Sequence, residues 1–384
     1  MPTHYYVDPG GGSDVTGDGS IGTPWASVQH ALDTIQRDTV NGDQINVKAG
    51  APDVLAASLS LATYGTPTGA APLVIRGYSN TAGDGGVGTL DRGGGNTPIV
   101  NGGSYLHFVD LRLTNTSGTR GLVLGNHCSV QRCTIDTILG TGSASYGVEG
   151  NTGANITVIG CRFSNIHRQA IRVWQGVILG NVFECGADAY RWSGVYVVNG
   201  PAAVVGNLFT IHQADSVGIR TENGTGVLIA NNAIYNTAAA TARGIQVGEP
   251  NPYTVSVLNN IVCGYSGVGG TGLFLDGMPP AVVGHNAIYN CSTPTSYTKD
   301  PIMDWGNNIT LDADPFVDAA NGDFRLTDAA QAVLRSAGWP TGYLGMDAAI
   351  DPHITIGALQ YGPTPTGGGG GSGAIRRVAR ILGG

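Results

Sequence analysis

Between Gly121 and Cys291 two short phrases recur seven times each, and that recurrence limits the chain to very few folds. The first is a small residue followed by alternating apolar positions, as in Gly121-Leu122-Val123-Leu124, Ala170-Ile171-Arg172-Val173, Gly218-Ile219-Arg220-Thr221 and Gly272-Leu273-Phe274-Leu275. Successive starts are 26, 23, 24, 24, 26 and 28 residues apart. The second phrase begins at Cys133, Cys161, Asn181, Asn207, Asn232, Asn260 and Asn286, with steps of 28, 20, 26, 25, 28 and 26. A unit of this length cannot bury its own apolar face, so the units must stack. Alternation over a few residues, ended by Gly, Asn or Pro, is the period of a strand and not of a helix.

These features predict an all-β solenoid of parallel strands with coils about 4.8 Å apart. Equivalent residues then superpose from coil to coil. Asn181, Asn207, Asn232, Asn260 and Asn286 are expected to form an inward asparagine ladder at one bend, with Phe163, Phe183 and Phe209 stacked as core. Cys133 and Cys161 take that inward position in earlier coils and read as buried thiols, with a Cys128–Cys133 disulfide as the alternative.

The chain separates into four stretches. Residues 1–43 hold a Gly/Asp-rich loop and then an amphipathic helix, with Thr23 as cap and Pro24 in its first turn, expected to plug the open end of the solenoid. Residues 44–310 are the coils, with the run Gly83 to Gly95 as an excursion and Ser292 to Asn308 irregular. Residues 311–361 form a closing cap containing a short helix that starts at Asp328. Residues 362–384 are a Gly-rich linker followed by a basic amphipathic segment, Ala374–Gly384, that reads as a docking peptide for a larger particle.

The repeats with their "GN.F" and "NN.I.N" turns resemble the right-handed parallel β-helix of the pectin-lyase-like superfamily. So do "YYVDPGGGSDVTGDGSIGTPWASVQHALDTI", "GDQINVKAG" and "DADPFVDAANGDFRL". That superfamily includes polysaccharide lyases, glycoside hydrolases and phage tailspikes. The resemblance implies a glycan ligand, and it leaves the chemistry open because one superfold hosts many activities.

Inward residues of such a solenoid are committed to the core, so function falls to outward columns and loops. One column reads Val123, Glu149, Arg172, Tyr196, Arg220, Gln246, Phe274; the next reads Gly125, Asn151, Trp174, Val198, Glu222, Gly248, Asp276. Rings that stack on sugars and arginines that bind carboxylates or hydroxyls point to a carbohydrate face of Trp174, Asp188, Tyr190, Arg191, Trp192 and Tyr196. A solvated face with scattered aromatics is the competing reading.

Candidate catalytic groups are Glu149, Arg172, Arg220, Glu222 and His212. Glycoside cleavage needs paired carboxylates, and the "NTDG", "DD" and "GHG" series of the superfamily's pectin hydrolases is absent. A lyase needs a base; Lys48 and Lys299 lie off this face, an arginine needs strong help to lose its proton, and His212 is the easier base. No cofactor is expected. Calcium has weak support from Asp8, Asp14 and Asp18 and from Asp312, Asp314, Asp318 and Asp323, whose spacing is not that of a dedicated calcium loop.

The net charge of −8 argues against nucleic acid as partner. The sequence shows neither a signal peptide nor a membrane span, and release with a virion or into the extracellular space is the expected location. The expectation that follows is a virion or tailspike-type protein, possible as a homotrimer, that binds and in one version degrades a surface polysaccharide. A uronate-specific polysaccharide lyase and a purely structural spike are the alternatives.

Overall fold

The computed structural model describes residues 1–118, 120–140, 145–186, 192–223, 226–238, 241–248, 254–276, 281–298, 303–334 and 337–338. It is an all-β parallel solenoid with very few helices, in two compact units, Met1–Gly176 and Val177–Gly384.

In the first unit three ladders of parallel strands run side by side. The first takes Thr3–Val7, Asp43–Lys48, Leu73–Tyr78, Leu106–Val109, Cys128–Gln131 and Asn155–Ile159 in order. The second takes Asp53–Val54, Gly88–Asp91, Leu111–Thr116, Thr134–Ile138 and Arg162–Ile166. The third takes Val100–Asn101, Arg120–Leu124, Tyr146–Gly150 and Gln169–Val173. The second unit repeats the pattern: Ser193–Val197, Val217–Thr221, Arg243–Val247, Thr271–Leu275 and Thr293–Tyr297 form its third ladder. Side chains alternate between core and solvent, as the buried-and-exposed pattern of Asn155–Ile159 shows.

The bend between first and second ladders is set by one left-handed residue per coil. Asp110, Arg132, Gly160, Gly180, Gly206, Asn231, Asn259, His285 and Asn307 have φ between 51° and 66°. Gly and Asn adopt this conformation readily, which is why "GN" and "NN" recur there. Directly after it, in the second unit, stands a column of amides. Asn207 Nδ2 donates to Asn232 Oδ1 (2.9 Å), Asn232 to Asn260 (2.9 Å), and Asn260 to Asn286 (3.0 Å), while each Oδ1 also accepts the preceding coil's backbone N–H at 3.0 Å. Each buried amide thus satisfies a bend whose backbone would otherwise lack partners. Phe183 and Phe209 stack beside it with centroids 4.5 Å apart.

In the first unit a cysteine does the same work more weakly. The Cys133 backbone N–H points at Cys161 Sγ (3.4 Å). All six cysteines are free, so Cys128 and Cys133 are not bridged.

Several expectations need correction. The N-terminal helix begins at Val28 and not at Pro24, with Ser27 Oγ accepting from His30 N–H. Asp14 holds Ala26 N, Ser27 N and Ser27 Oγ at 2.7–3.1 Å, and Trp25 bridges Val7, so residues 25–27 are tied to the N-terminal loop before any helix can start. The excursion Gly83 to Gly95 contains the strand Gly88–Asp91. The coils continue past Cys291 through Thr293–Tyr297, Met303–Gly306 and Ile309–Leu311. An antiparallel pair, Phe316–Asp318 with Asp323–Leu326, then precedes the helix Asp328–Leu334. The tail Ala374–Gly384 and its Gly-rich linker lie outside the described residues.

Candidate functional site

The third ladder carries the outward columns in the register the repeat implies. In the first unit Val123, Glu149 and Arg172 are direct partners on successive strands. In the second unit Tyr196, Arg220, Gln246 and Phe274 are.

Glu149 in the first unit is buried, and two guanidinium groups close on its carboxylate. Arg172 Nη1 reaches Oε1 at 2.6 Å, and Arg120 Nε lies 2.7 Å from Oε2. The Arg120 contact is an ion pair by distance but its N–H is not aimed at the oxygen, which leaves Oε2 without a true hydrogen bond. Arg172 also lies over the rings of Tyr146 (5.4 Å) and Trp174 (5.9 Å). Two arginines around one carboxylate leave a net positive charge beside two aromatic rings, an arrangement that suits an anionic group on a ligand that can stack.

In the second unit the carboxylate sits differently. Glu222 is partly exposed and binds Arg220 of its own strand through Oε1, while Oε2 accepts the Tyr196 hydroxyl from the neighbouring coil. Arg220 lies 5.2 Å from the Tyr196 ring, and Arg243 stands over Phe274 at 3.3 Å from the ring centroid. Burial lowers the pKa of Arg243; Asp276 opposes this and Arg220 adds to it. His212 bonds Thr237 Oγ1 through Nδ1 at 3.0 Å and touches neither Arg220 nor Glu222 by any hydrogen bond among the described residues.

The structure therefore joins Glu149, Arg172 and Trp174 in one group and Tyr196, Arg220 and Glu222 in another. Trp192 is corrected: it is 1% exposed, a core residue packed just ahead of the strand Ser193–Val197, and does not present its ring to solvent. Asp188, Tyr190 and Arg191 lie outside the described residues. Two members of the first group were missed. Arg120 and Tyr146 each directly precede the glycine of the repeat phrase, at Gly121 and Gly147, and reading that preceding column would have found them.

Of the aspartates weighed for calcium, Asp8, Asp14, Asp18, Asp314, Asp318 and Asp323 are engaged in turns and pairs. Asp8 takes Lys48 Nζ at 2.7 Å, Asp14 caps residues 26–27, and the Thr23 hydroxyl and Ser20 N–H pull the Asp18 pKa down to about 2. Asp314 accepts from the Tyr235 hydroxyl at 2.9 Å, and Asp323 pairs with Arg325. Among the described residues no group of three or more His, Cys, Asp or Glu side chains is placed to hold a metal ion, and no helix is long and apolar enough to cross a membrane.

No family model matches the sequence, and no curated protein matches it. Solved structures do. Pectate lyase Pel9A superposes with a TM-score of 0.52 at 12% identity, over 94% of this chain and 96% of that one. A lacto-N-biosidase from Eubacterium ramulus gives 0.42 at 13% identity, over 78% and 68% of the two chains. The catalytic unit of an alpha-1,3-glucanase from Streptomyces thermodiastaticus gives 0.43 at 14%, over 80% and 69%. Identity this low speaks to fold alone, and the end-to-end match to Pel9A agrees with the ladder order above. The chain has the pectin-lyase-like right-handed parallel β-helix fold.

Proposed function

We propose that this protein binds an acidic polysaccharide on the third ladder of its first unit. The observation that carries the proposal is the seat of Arg172, whose guanidinium touches the buried Glu149 carboxylate at 2.6 Å and lies over both Tyr146 and Trp174. A uronate carboxylate would meet the excess positive charge of Arg120 and Arg172, and the sugar face would stack on Trp174. The glycan-active proteins that share the fold support this reading by analogy of architecture.

Cleavage at the third ladder of the second unit is the second reading, and Glu222 favours it. That carboxylate is partly exposed and holds both an arginine and a phenol, the mixture of acid and cation a degrading site draws on. The attachment of such a protein to a virion rests on the sequence of Ala374–Gly384 alone. Removing residues 367–384 tests it: particle assembly that proceeds without them removes the docking role.

The deciding experiment titrates the full chain with digalacturonate and longer acidic oligosaccharides while following reducing ends and ultraviolet-absorbing unsaturated uronates. Binding that weakens tenfold or more in Trp174→Ala and in Arg172→Ala supports the proposal. Binding unchanged in both removes this face. Both chemical signals together would mark a lyase, reducing ends alone a hydrolase.

A further inference from the structure

The second ladder of the first unit carries a polar cleft of about 290 Å³ on its outer side, at the lower end of the roughly 300–1,000 Å³ of small-molecule sites. Its lining includes Thr89, Asp91, Arg112, Thr114, Asn115 and Thr137. None of these belongs to the third-ladder columns.

The chemistry of the lining is specific. Arg112 is held in place by Asp136, through Nε at 2.8 Å and Nη2 at 3.3 Å, while the Thr114 hydroxyl donates to the same carboxylate. The guanidinium is half exposed, and its Nη1 has no hydrogen-bond partner among the described residues. Asp91 uses Oδ1 for Asn115 Nδ2 (2.9 Å) and Gly93 N–H (2.7 Å), and Oδ2 has no protein donor among the described residues. A fixed donor and a fixed acceptor thus face a cavity that also presents the Thr89 and Thr137 hydroxyls. Asp91 and Arg112 are the charged lining residues, and with Asp136 behind Arg112 counted the cleft and its immediate support carry one net negative charge.

Thr137 supplies an independent sign. The pairs Asp136↔Thr114 and Ile138↔Thr116 on one side, and Asp136↔Ser164 and Ile138↔Ile166 on the other, place it between Asn115 and Asn165. All three are left-handed, with φ of 65°, 56° and 50° along the column. Asparagine tolerates that conformation, whereas a β-branched residue adopts it only at a cost in stability. The chain keeps threonine where its neighbours have asparagine, and that position is one that lines the cleft.

We infer that this cleft is a second carbohydrate subsite, one that takes a neutral sugar residue through a vicinal diol. One hydroxyl donates to Asp91 Oδ2 while its neighbour accepts from Arg112 Nη1, and the Thr137 hydroxyl bonds a third oxygen. A uronate is disfavoured because its carboxylate would lie against Asp91 and Asp136.

The test is calorimetric titration of the full chain with neutral trisaccharides of glucose, xylose and galactose, repeated in the presence of saturating digalacturonate. At least one neutral trisaccharide binds, digalacturonate does not displace it, and Asp91→Asn weakens it tenfold or more. Thr137→Asn raises the melting temperature and weakens the same binding fivefold or more, so lost affinity there cannot be ascribed to unfolding. The inference is overturned if no neutral trisaccharide binds, if digalacturonate displaces it, if Asp91→Asn binds normally, or if Thr137→Asn melts lower than the wild type. Digalacturonate binding that Arg112→Lys abolishes would likewise overturn the neutral assignment.

Discussion

Glu149 and Glu222 stand on corresponding ladders, each beside an arginine and an aromatic ring, and the two differ in what surrounds the carboxylate. Glu149 is 5% exposed and lies between arginines from the two neighbouring coils, Arg120 on one side and Arg172 on the other. Glu222 keeps 29% of its side chain in solvent and takes its arginine from two positions earlier on its own chain. Charges contributed by different coils lock the stack together and are hard to remove. A pair within one strand constrains little and can be remodelled by a ligand. The first arrangement therefore builds a rigid platform, and the second leaves a carboxylate free to exchange partners.

The largest effect should come from removing the buried carboxylate. Glu149→Gln leaves Arg172 (23% exposed) and Arg120 (41% exposed) facing an uncharged amide, and because both guanidinium groups keep some water the cost should be about 1–3 kcal/mol, short of the roughly 3–5 kcal/mol of a fully buried pair. Urea unfolding should show the loss as a lower midpoint. A change below 1 kcal/mol would mean that Glu149 is solvated as Glu222 is, and the contrast between the two sites would fail.

Arg172→Ala sharpens the comparison next, because it separates binding from stability. Arg120 still faces Glu149, so the stability loss should be about 1–2 kcal/mol. Glycan affinity should fall tenfold or more, since the cation over Trp174 is gone. Arg220→Ala should cost less than 1 kcal/mol, as is usual for a partly exposed pair. Equal losses in the two variants would show that register across coils adds nothing.

How much of this was legible in the sequence follows from which interactions repeat. The bend carrying Asn207, Asn232, Asn260 and Asn286 could be read directly, because each coil must satisfy the same buried N–H groups with the same side chain. Glu149 and Arg172 were legible as neighbours for the same reason. Trp192 was not, since a large ring just ahead of Ser193-Gly194 can fill the core as readily as it can face a sugar, and only packing decides. The strand Gly88–Asp91 was hidden by six glycines and an aspartate around it, and its pairing comes from neighbouring coils and not from its own propensity. The second-ladder cleft was invisible because Arg112, Asp136 and Asp91 come from three coils that share no motif.

A smaller effect reports on thiols buried outside the asparagine column. Burial pushes the Cys128 pKa up to about 11, from near 9 in the unfolded chain, and Cys291 in the second unit behaves alike. A thiol that ionises later in the folded state stabilises the fold fully below pH 9, and that contribution is lost as pH rises through about 11. Unfolding free energy should thus decline between pH 9 and 11, by less in Cys128→Ser than in the wild type.

The smallest effect distinguishes the two carboxylates without any substitution in either. Tyr196→Phe removes the hydroxyl that donates to Glu222 Oε2 and leaves the Arg220 pair in place. A hydrogen bond to a partly solvated carboxylate contributes about 0.5–1.5 kcal/mol, so the midpoint should move only slightly. Salt then becomes informative. At 1 M ionic strength the Debye length falls to about 3 Å, so screening reaches the exposed Arg220–Glu222 pair far more than the buried Arg120–Glu149–Arg172 group. In Tyr196→Phe, with the phenol gone, stability should become more sensitive to salt than in the wild type, while Tyr146→Phe beside Glu149 should leave that sensitivity unchanged. If both variants respond alike, burial is not what separates the two sites, and the rigid platform assigned to Glu149 would have to be given up.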